Sequence, residues 1–145
     1  MSKHMYHDIL VPVDGSESAA TVLEHTEEIA RDRDARVHVL YVVDDRAFLT
    51  LDDAMKDDVT ENLRQEGETA VGKVASQFES WDLEVTTAIT RGKPADEIIA
   101  YVENEEIDLV TMGTRGDDTE NLLGSTAQMV VTNAPAPVLT VNLDD

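Results

Sequence analysis

The chain contains no cysteine among its 145 residues. Disulfide bonds, thiolate catalysis and cysteine-based metal sites are therefore excluded. No stretch approaches the ~20 apolar residues of a membrane-spanning helix, and the amino terminus carries no apolar signal segment. The length suits one domain with a complete core. We therefore expect a single cytoplasmic domain over residues 1–145.

Positive charge is also scarce. Lysine and arginine number 11 against 31 aspartate and glutamate residues, which gives a formal net charge of −20. Such a surface repels nucleic acid and anionic membranes, so neither is predicted as a partner. The acidic residues are spread along the chain rather than collected in a tail. At ~1 M salt the Debye length is only ~3 Å and their repulsion is quenched, so the composition predicts a halophilic protein.

Apolar segments alternate with amphipathic ones. Runs rich in apolar or β-branched residues are typical of strands, and they cover residues 8–13, 37–43, 83–90, 107–112 and 136–141. Between them, apolar residues recur at helical spacing, in segments 16–33, 52–77, 94–102 and 122–132. Gly67 and Gly72 each weaken the second helix by roughly 1 kcal/mol relative to alanine, which leaves a break there open. The pattern predicts an α/β fold: a doubly wound, five-stranded parallel sheet with helices on both faces.

Ligands on such sheets bind beyond the carboxyl ends of the strands, where the strand order reverses. The loop 113–125 lies at that end and carries Gly113, Gly116 and Gly124, followed by Ser125 and Thr126 at a helix start. Without Cβ atoms, the backbone can approach a phosphate closely, and the N–H groups of the helix start point at it. The loop is therefore predicted to be a phosphate cradle. A tight turn followed by an ordinary helix start is the alternative.

The same loop also carries Asp117, Asp118 and Glu120, where a phosphate site would prefer neutral or basic residues. Arg115 is the one cation of the loop, and it either offsets these carboxylates or meets a ligand. The glycines therefore favour a phosphate site in this loop, whereas its carboxylates disfavour one.

Several catalytic signatures are absent. Aspartyl-phosphate enzymes need an aspartate where Pro12 stands. The segment Gly92-Lys93-Pro94 lacks the Ser/Thr and the upstream glycine of a Walker A loop. The four histidines have no metal-ligand spacing and are predicted to be solvated or core residues. No nucleophile elbow or positioned general base is present, so an enzymatic role is not expected.

Two segments resemble the universal stress protein family. Residues 8–16 (DILVPVDGS) are similar to the opening of that family, and residues 108–116 (DLVTMGTRG) with Leu-Leu-Gly-Ser at 122–125 and residues 137–141 are similar to its closing half. The ATP-binding branch carries the motif Gly-x2-Gly-x9-Gly-(Ser/Thr). Here seven residues rather than nine separate Gly116 from Gly124, so the loop is two residues shorter.

The resemblance implies an adenine nucleotide, ATP or AMP, as a regulatory or sensing ligand. Gly113, Gly116, Gly124 and Ser125 would hold the phosphates, with Thr126 adjacent. Asp14 would contact the ribose, and Val42 or its neighbour would line the adenine pocket. A bridging Mg²⁺ is one way to neutralise the loop carboxylates.

The resemblance also implies a homodimer through the last strand, residues 137–142. Fast hydrolysis is not expected, and slow ATP turnover stays open. The main alternative is a family member without nucleotide that acts as a homodimeric protein-interaction module. A flavin-type binding domain is a weaker alternative, because the first loop lacks the hydroxyl-rich character of such domains.

Overall fold

A computed structural model describes residues 6–14, 20–45, 51–114 and 124–142. Strands and helices alternate strictly over these ranges. The strands are β1 (Asp8–Val13), β2 (Arg36–Asp44), β3 (Val85–Gly92), β4 (Leu109–Gly113) and β5 (Val138–Val141). The helices are α1 (Ala20–Arg33), α2 (Asp53–Ser80), α3 (Pro94–Asn104) and α4 (Ser125–Asn133).

All the strand pairs are parallel, and the sheet order is β3-β2-β1-β4-β5. Successive residues of a strand point to opposite faces. One face accordingly forms a core with α1 and α2 that contains Ile9, Val39 and Phe78. The other forms a core with α3 and α4 that contains Leu10 and Val130. The predicted doubly wound parallel sheet is confirmed.

Three strands begin later than predicted. β3 starts at Val85 rather than at residue 83, because the N–H of Leu83 donates to the carbonyl of Phe78 at the end of α2 (3.2 Å). Residue 107 was expected to start β4, but the carboxylate of Asp108 instead accepts hydrogen bonds from the backbone N–H groups of His7 (2.9 Å) and Asp8 (3.0 Å). Residue 136 was expected to start β5, but Pro137 has no N–H for a ladder. Its carbonyl accepts from the N–H of Val110 (3.0 Å), and β5 follows.

Two predicted helix starts lie outside the described residues, namely 16–19 of the first helix and 122–123 of the last. The second helix shows no break, because α2 runs through both glycines to Ser80. Gly67 packs against β2: a Cβ there would stand 2.6 Å from Cδ1 of Tyr41. The helix can approach the strand this closely because residue 67 has no side chain. Gly72, by contrast, faces open space. None of the described helices is long and apolar enough to cross a bilayer.

Candidate functional site

The strand order reverses between β1 and β4, and sheets of this type bind ligands in the crevice at the carboxyl ends of such a strand pair. β1 pairs with β2 from Asp8 to Val13, but its registered pairs with β4 are confined to Ile9 and Leu10. Asp8 faces β4, since its carbonyl accepts from the N–H of Asp108 (2.8 Å). Alternate residues of a strand face the same neighbour, so Pro12 also faces β4 and has no N–H to donate to it. The registered pairing of β1 with β4 therefore ends before the carboxyl edge, and we take this position as the candidate crevice.

The ends of the glycine loop meet beside this crevice. The N–H of Thr114 donates to the carbonyl of Val141 (3.0 Å), and the N–H of Gly124 donates to the carbonyl of Thr114. Gly113 is the last residue of β4 and is in register with Val141. The structure thus places Gly124 beside Thr114, the residue that follows Gly113. Gly116 lies outside the described residues.

Helix α4 starts at the crevice without a side-chain cap. Gly124 is its buried N-cap residue, with φ −64° and ψ 164°, a conformation open to any residue. Glycine has no side chain with which to cap the first turn, and that turn contains no acidic residue. Ser125 is exposed and Thr126 half-buried. The first N–H groups of a helix have no intrahelical acceptor, so a helix start of this kind has the donors that bind an anion.

Asp14 and Val42 are neighbours at the same edge. Val13 and Tyr41 are in register, and Asp14 and Val42 each follow directly. Val42 is half-buried and packs on the α3 and α4 face, whereas Asp14 is exposed. An apolar surface and a carboxylate therefore stand side by side on the β2 side of the crevice.

The edge around this crevice is rich in carboxylates. Burial raises the pKa of Tyr41, and the charges of Glu66 and then Asp14 raise it further. Both carboxylates therefore act on the end of β2. The guanidinium of Arg91 at the end of β3 is paired with Asp45, with Nε 3.2 Å from Oδ1. Exposed Lys93 precedes α3 and makes no capping side-chain bond.

A buried hydroxyl pair supports β4 directly below the crevice. The hydroxyl of Thr26 donates to the carbonyl of Val22 (2.7 Å), so Thr111 donates to Thr26 across 2.7 Å. Both threonines are fully buried. This pair attaches α1 to β4 two residues before Gly113. Sequence reasoning missed it, although a threonine within an apolar stripe of each element was a visible signal.

His38 lies at the opposite edge of the sheet. It is 3% exposed, with Nε2 2.9 Å from Oδ1 of Asp8 and Nδ1 2.8 Å from the hydroxyl of Tyr101. The predicted core role is confirmed for His38. Over the described ranges, no three His, Cys, Asp or Glu side chains are grouped as metal ligands.

A family model describing the universal stress proteins matches residues 5–142. The chain belongs to the universal stress protein family. Among its relatives, universal stress protein MJ0531 of Methanocaldococcus jannaschii is 37% identical over 142 residues, which cover 96% of this chain and 84% of the relative.

Solved structures agree with this assignment. That of MJ0577, a universal stress protein of the same organism, aligns with a TM-score of 0.86 and 29% identity, covering 94% of this chain and 96% of the other. The universal stress protein of Archaeoglobus fulgidus in complex with dAMP aligns with a TM-score of 0.70 and 23% identity, covering 95% and 99%. At that identity the second likeness shows the fold alone.

Proposed function

We propose that this universal stress protein binds an adenine nucleotide, ATP or AMP, as a regulatory or sensing ligand in the stress response. The observation that carries the proposal is the meeting of Gly113, Thr114 and Gly124 beside the uncapped start of α4. The registered pairing of β1 with β4 ends at Leu10, before the carboxyl edge at which α4 starts. The dAMP complex of the A. fulgidus protein supports the proposal, because it places an adenine nucleotide on the same fold.

Each predicted site residue has a role in this proposal. The N–H groups of Gly124, Ser125 and Thr126 bind the phosphates, as helix starts do, together with the backbone of Gly113 and Gly116. The carboxylate of Asp14 accepts hydrogen bonds from the ribose hydroxyls. Val42 packs against the base. Mg²⁺ accompanies ATP and offsets part of its charge. The role is binding rather than catalysis, and the cytoplasmic location stays a prediction.

Retained nucleotide is the direct test. The protein is purified in about 2 M KCl, where charge repulsion is screened, then denatured and analysed by chromatography. We expect an adenine nucleotide to be released, and calorimetry to show binding of ATP with Mg²⁺ and of AMP. If no nucleotide is released and neither ligand produces heat at high or low salt, the proposal is wrong. The protein-interaction module would then be the better reading.

A variant tests the location of the site. Gly124→Val puts a branched side chain where the phosphates approach the backbone. Loss of two charge-assisted hydrogen bonds at about 1.5 kcal/mol each weakens binding about a hundredfold. Gly72→Val is the matched control, since a side chain at residue 72 meets open space. Unchanged affinity in Gly124→Val would place the site elsewhere.

We also propose that the protein is a homodimer through residues 137–142. β5 is an edge strand whose Val138, Leu139 and Thr140 are only half-buried. On α4, the helix that precedes it, Met129 is 48% and Val131 46% exposed. Light scattering is expected to give a dimer, and Val131→Glu to weaken it. Thr86→Glu on the opposite edge strand is the control, and a monomeric parent protein in molar salt would contradict the proposal.

A further inference from the structure

We infer, on the basis of the proposed function, that ionic strength controls both the affinity of the crevice for adenine nucleotides and its choice between them. Binding tightens as salt concentration rises, and it tightens most for the nucleotide with the most charge. AMP is therefore favoured at low salt, and ATP gains on it at high salt.

The first observation is that backbone dipoles rather than cations are offered to the phosphates. The start of α4 presents N–H groups and no charged residue in its first turn. Arg91, at the carboxyl end of β3, is already paired with Asp45. Exposed Lys93 is followed by two carboxylates in the first turn of α3, so this helix start has no excess of positive charge. Helix-start dipoles attract anions over short distances only. The described part of the crevice therefore lacks the strong long-range attraction that a cluster of arginine or lysine side chains would provide.

The second observation is the sign of the surrounding charge. Asp14 follows β1, Glu66 precedes the glycine that packs on Tyr41 near the end of β2, and Asp96 and Glu97 occupy the first turn of α3. The charges of Glu66 and Asp14 both act on Tyr41. These carboxylates belong to the carboxyl half of the sheet, and the whole chain has a net charge of −20. A phosphate group therefore approaches against a repulsive field.

Salt determines the distance over which these carboxylates repel a phosphate. In water, two unit charges about 10 Å apart change an equilibrium constant by about twofold. For a ligand with several charges near several carboxylates, the factors of the individual charge pairs multiply, so the association constant falls by more than twofold. The Debye length falls from about 10 Å at 0.1 M salt to about 3 Å at 1 M, which removes most of the repulsion. Short hydrogen bonds between the phosphates and backbone N–H groups are screened much less. Added salt therefore removes the repulsion by the carboxylates and leaves these hydrogen bonds in place.

The direction is opposite to that of an ordinary phosphate site. Where cations bind the phosphates, salt screens the attraction and weakens binding. Here we expect the association constant of ATP to rise about tenfold or more between about 0.1 M and 2 M KCl, and that of AMP about threefold. Adenosine carries no phosphate and is expected to change by less than about twofold over the same range.

The experiment measures these three ligands by calorimetry on the full chain, without Mg²⁺ and with a chelator present, at several KCl concentrations. Circular dichroism at each concentration confirms that the protein stays folded. The expected slopes of affinity against salt are positive and decrease in the order ATP, AMP, adenosine. Adenosine also reports any general salting-out of the base, which would affect all three ligands alike.

Two matched double variants test the origin of the effect. Glu66→Gln with Asp96→Asn removes two charges near the crevice, and we expect ATP to bind about fourfold more tightly at about 0.1 M KCl, with a flatter salt dependence. Asp34→Asn with Asp82→Asn removes two exposed charges at the opposite edge, which a six-residue strand such as β1 places about 20 Å away, or about two Debye lengths at 0.1 M salt. Asparagine tolerates the left-handed backbone of residues 34 and 82 (φ 55° and 64°), and this pair is expected to leave the ATP affinity unchanged.

The possible failures are distinct. If no nucleotide binds at any salt concentration, the proposed function itself is wrong. If nucleotide binds but ATP affinity falls with salt, the site is real and the inference is overturned. Equal slopes for ATP and adenosine, or equal effects of the near and far double variants, would also overturn it.

Discussion

The two edges of the sheet differ in how their polar groups are bonded. At the amino edge, where the strands begin, His38 bonds both Asp8 and Tyr101, and Asp108 accepts two backbone N–H groups. At the carboxyl edge, the registered pairing of β1 with β4 ends at Leu10, and the N-cap of α4 is a glycine without a side chain. The bonds of Asp108 with His7 and Asp8, which join residues about a hundred positions apart, thus lie at the edge away from the candidate site.

This difference follows from what a phosphate site requires. Backbone N–H groups that are to bind a ligand cannot be satisfied by the protein's own side chains. The stability of the strands around the crevice must therefore come from the buried core and from the opposite edge. Substitutions at the amino edge should change stability and spare binding, whereas those at the carboxyl edge should do the reverse.

The largest effect on stability is expected from His38→Ala. This change leaves the half-buried groups of Asp8 and Tyr101 without their shared partner and opens a cavity. We expect the free energy of unfolding to fall by about 3 kcal/mol, measured by urea denaturation. Nucleotide affinity in molar KCl should not change. Exposed His25→Ala is the control and should stay within about 0.5 kcal/mol. Loss of binding with intact stability would break the comparison.

The threonine pair below the crevice should respond asymmetrically. In Thr111→Val, Thr26 still donates to the carbonyl of Val22, and one hydrogen bond is lost, at about 1 kcal/mol. In Thr26→Val, the buried hydroxyl of Thr111 loses its partner, at about 2 kcal/mol. Urea denaturation of the two variants gives the ranking. Equal costs, or the reverse order, would show that the pair is not bonded in the direction described.

Substitutions at the carboxyl ends of the helices, which lie at the amino edge of the sheet, should stabilise the protein. α1, α2 and α3 each end next to an acidic residue with positive φ: Asp34 (55°), Asp82 (64°) and Glu106 (55°). Glycine is the usual residue there, and a negative charge opposes the helix dipole. Glu106→Gly should raise the free energy of unfolding by about 1 kcal/mol, seen as a higher melting temperature. Glu103→Gly, inside α3, should lower it by about as much.

The smallest expected effect is at alkaline pH and involves both edges. Burial is the main cause that raises the pKa of Tyr101 at the amino edge and of Tyr41 near the crevice above the usual 10.0. The folded protein therefore holds these protons more tightly than the unfolded chain. This contribution is fully present below about pH 10 and is lost as the pH rises through the folded values.

Denaturant unfolding between about pH 9 and 11 should show this decline, and the decline should be shallower in Tyr101→Phe. A decline of equal steepness in that variant would assign the effect to other groups.

The alternation of apolar runs and helical stripes was enough to predict the order of elements and the parallel sheet, whereas ligand binding at its carboxyl edge stays a prediction. It also placed Gly113, Gly124, Asp14 and Val42 at that edge. The local pattern was enough because a strand covered by helices on both faces must be apolar, whichever strands lie next to it in the sheet. The resemblance to the universal stress proteins was carried by the same segments and is confirmed.

Other features depended on contacts between residues distant in the chain. Composition alone set the charge of −20 and with it the repulsion that any phosphate must overcome. Three features needed the strands to be placed side by side: the end of the registered β1–β4 pairing at Leu10, the bond of Thr114 with Gly124, and the bonds of Thr26 and His38. A sequence shows which residues alternate, but strand order decides which of them become neighbours, because pairing brings together groups up to a hundred residues apart.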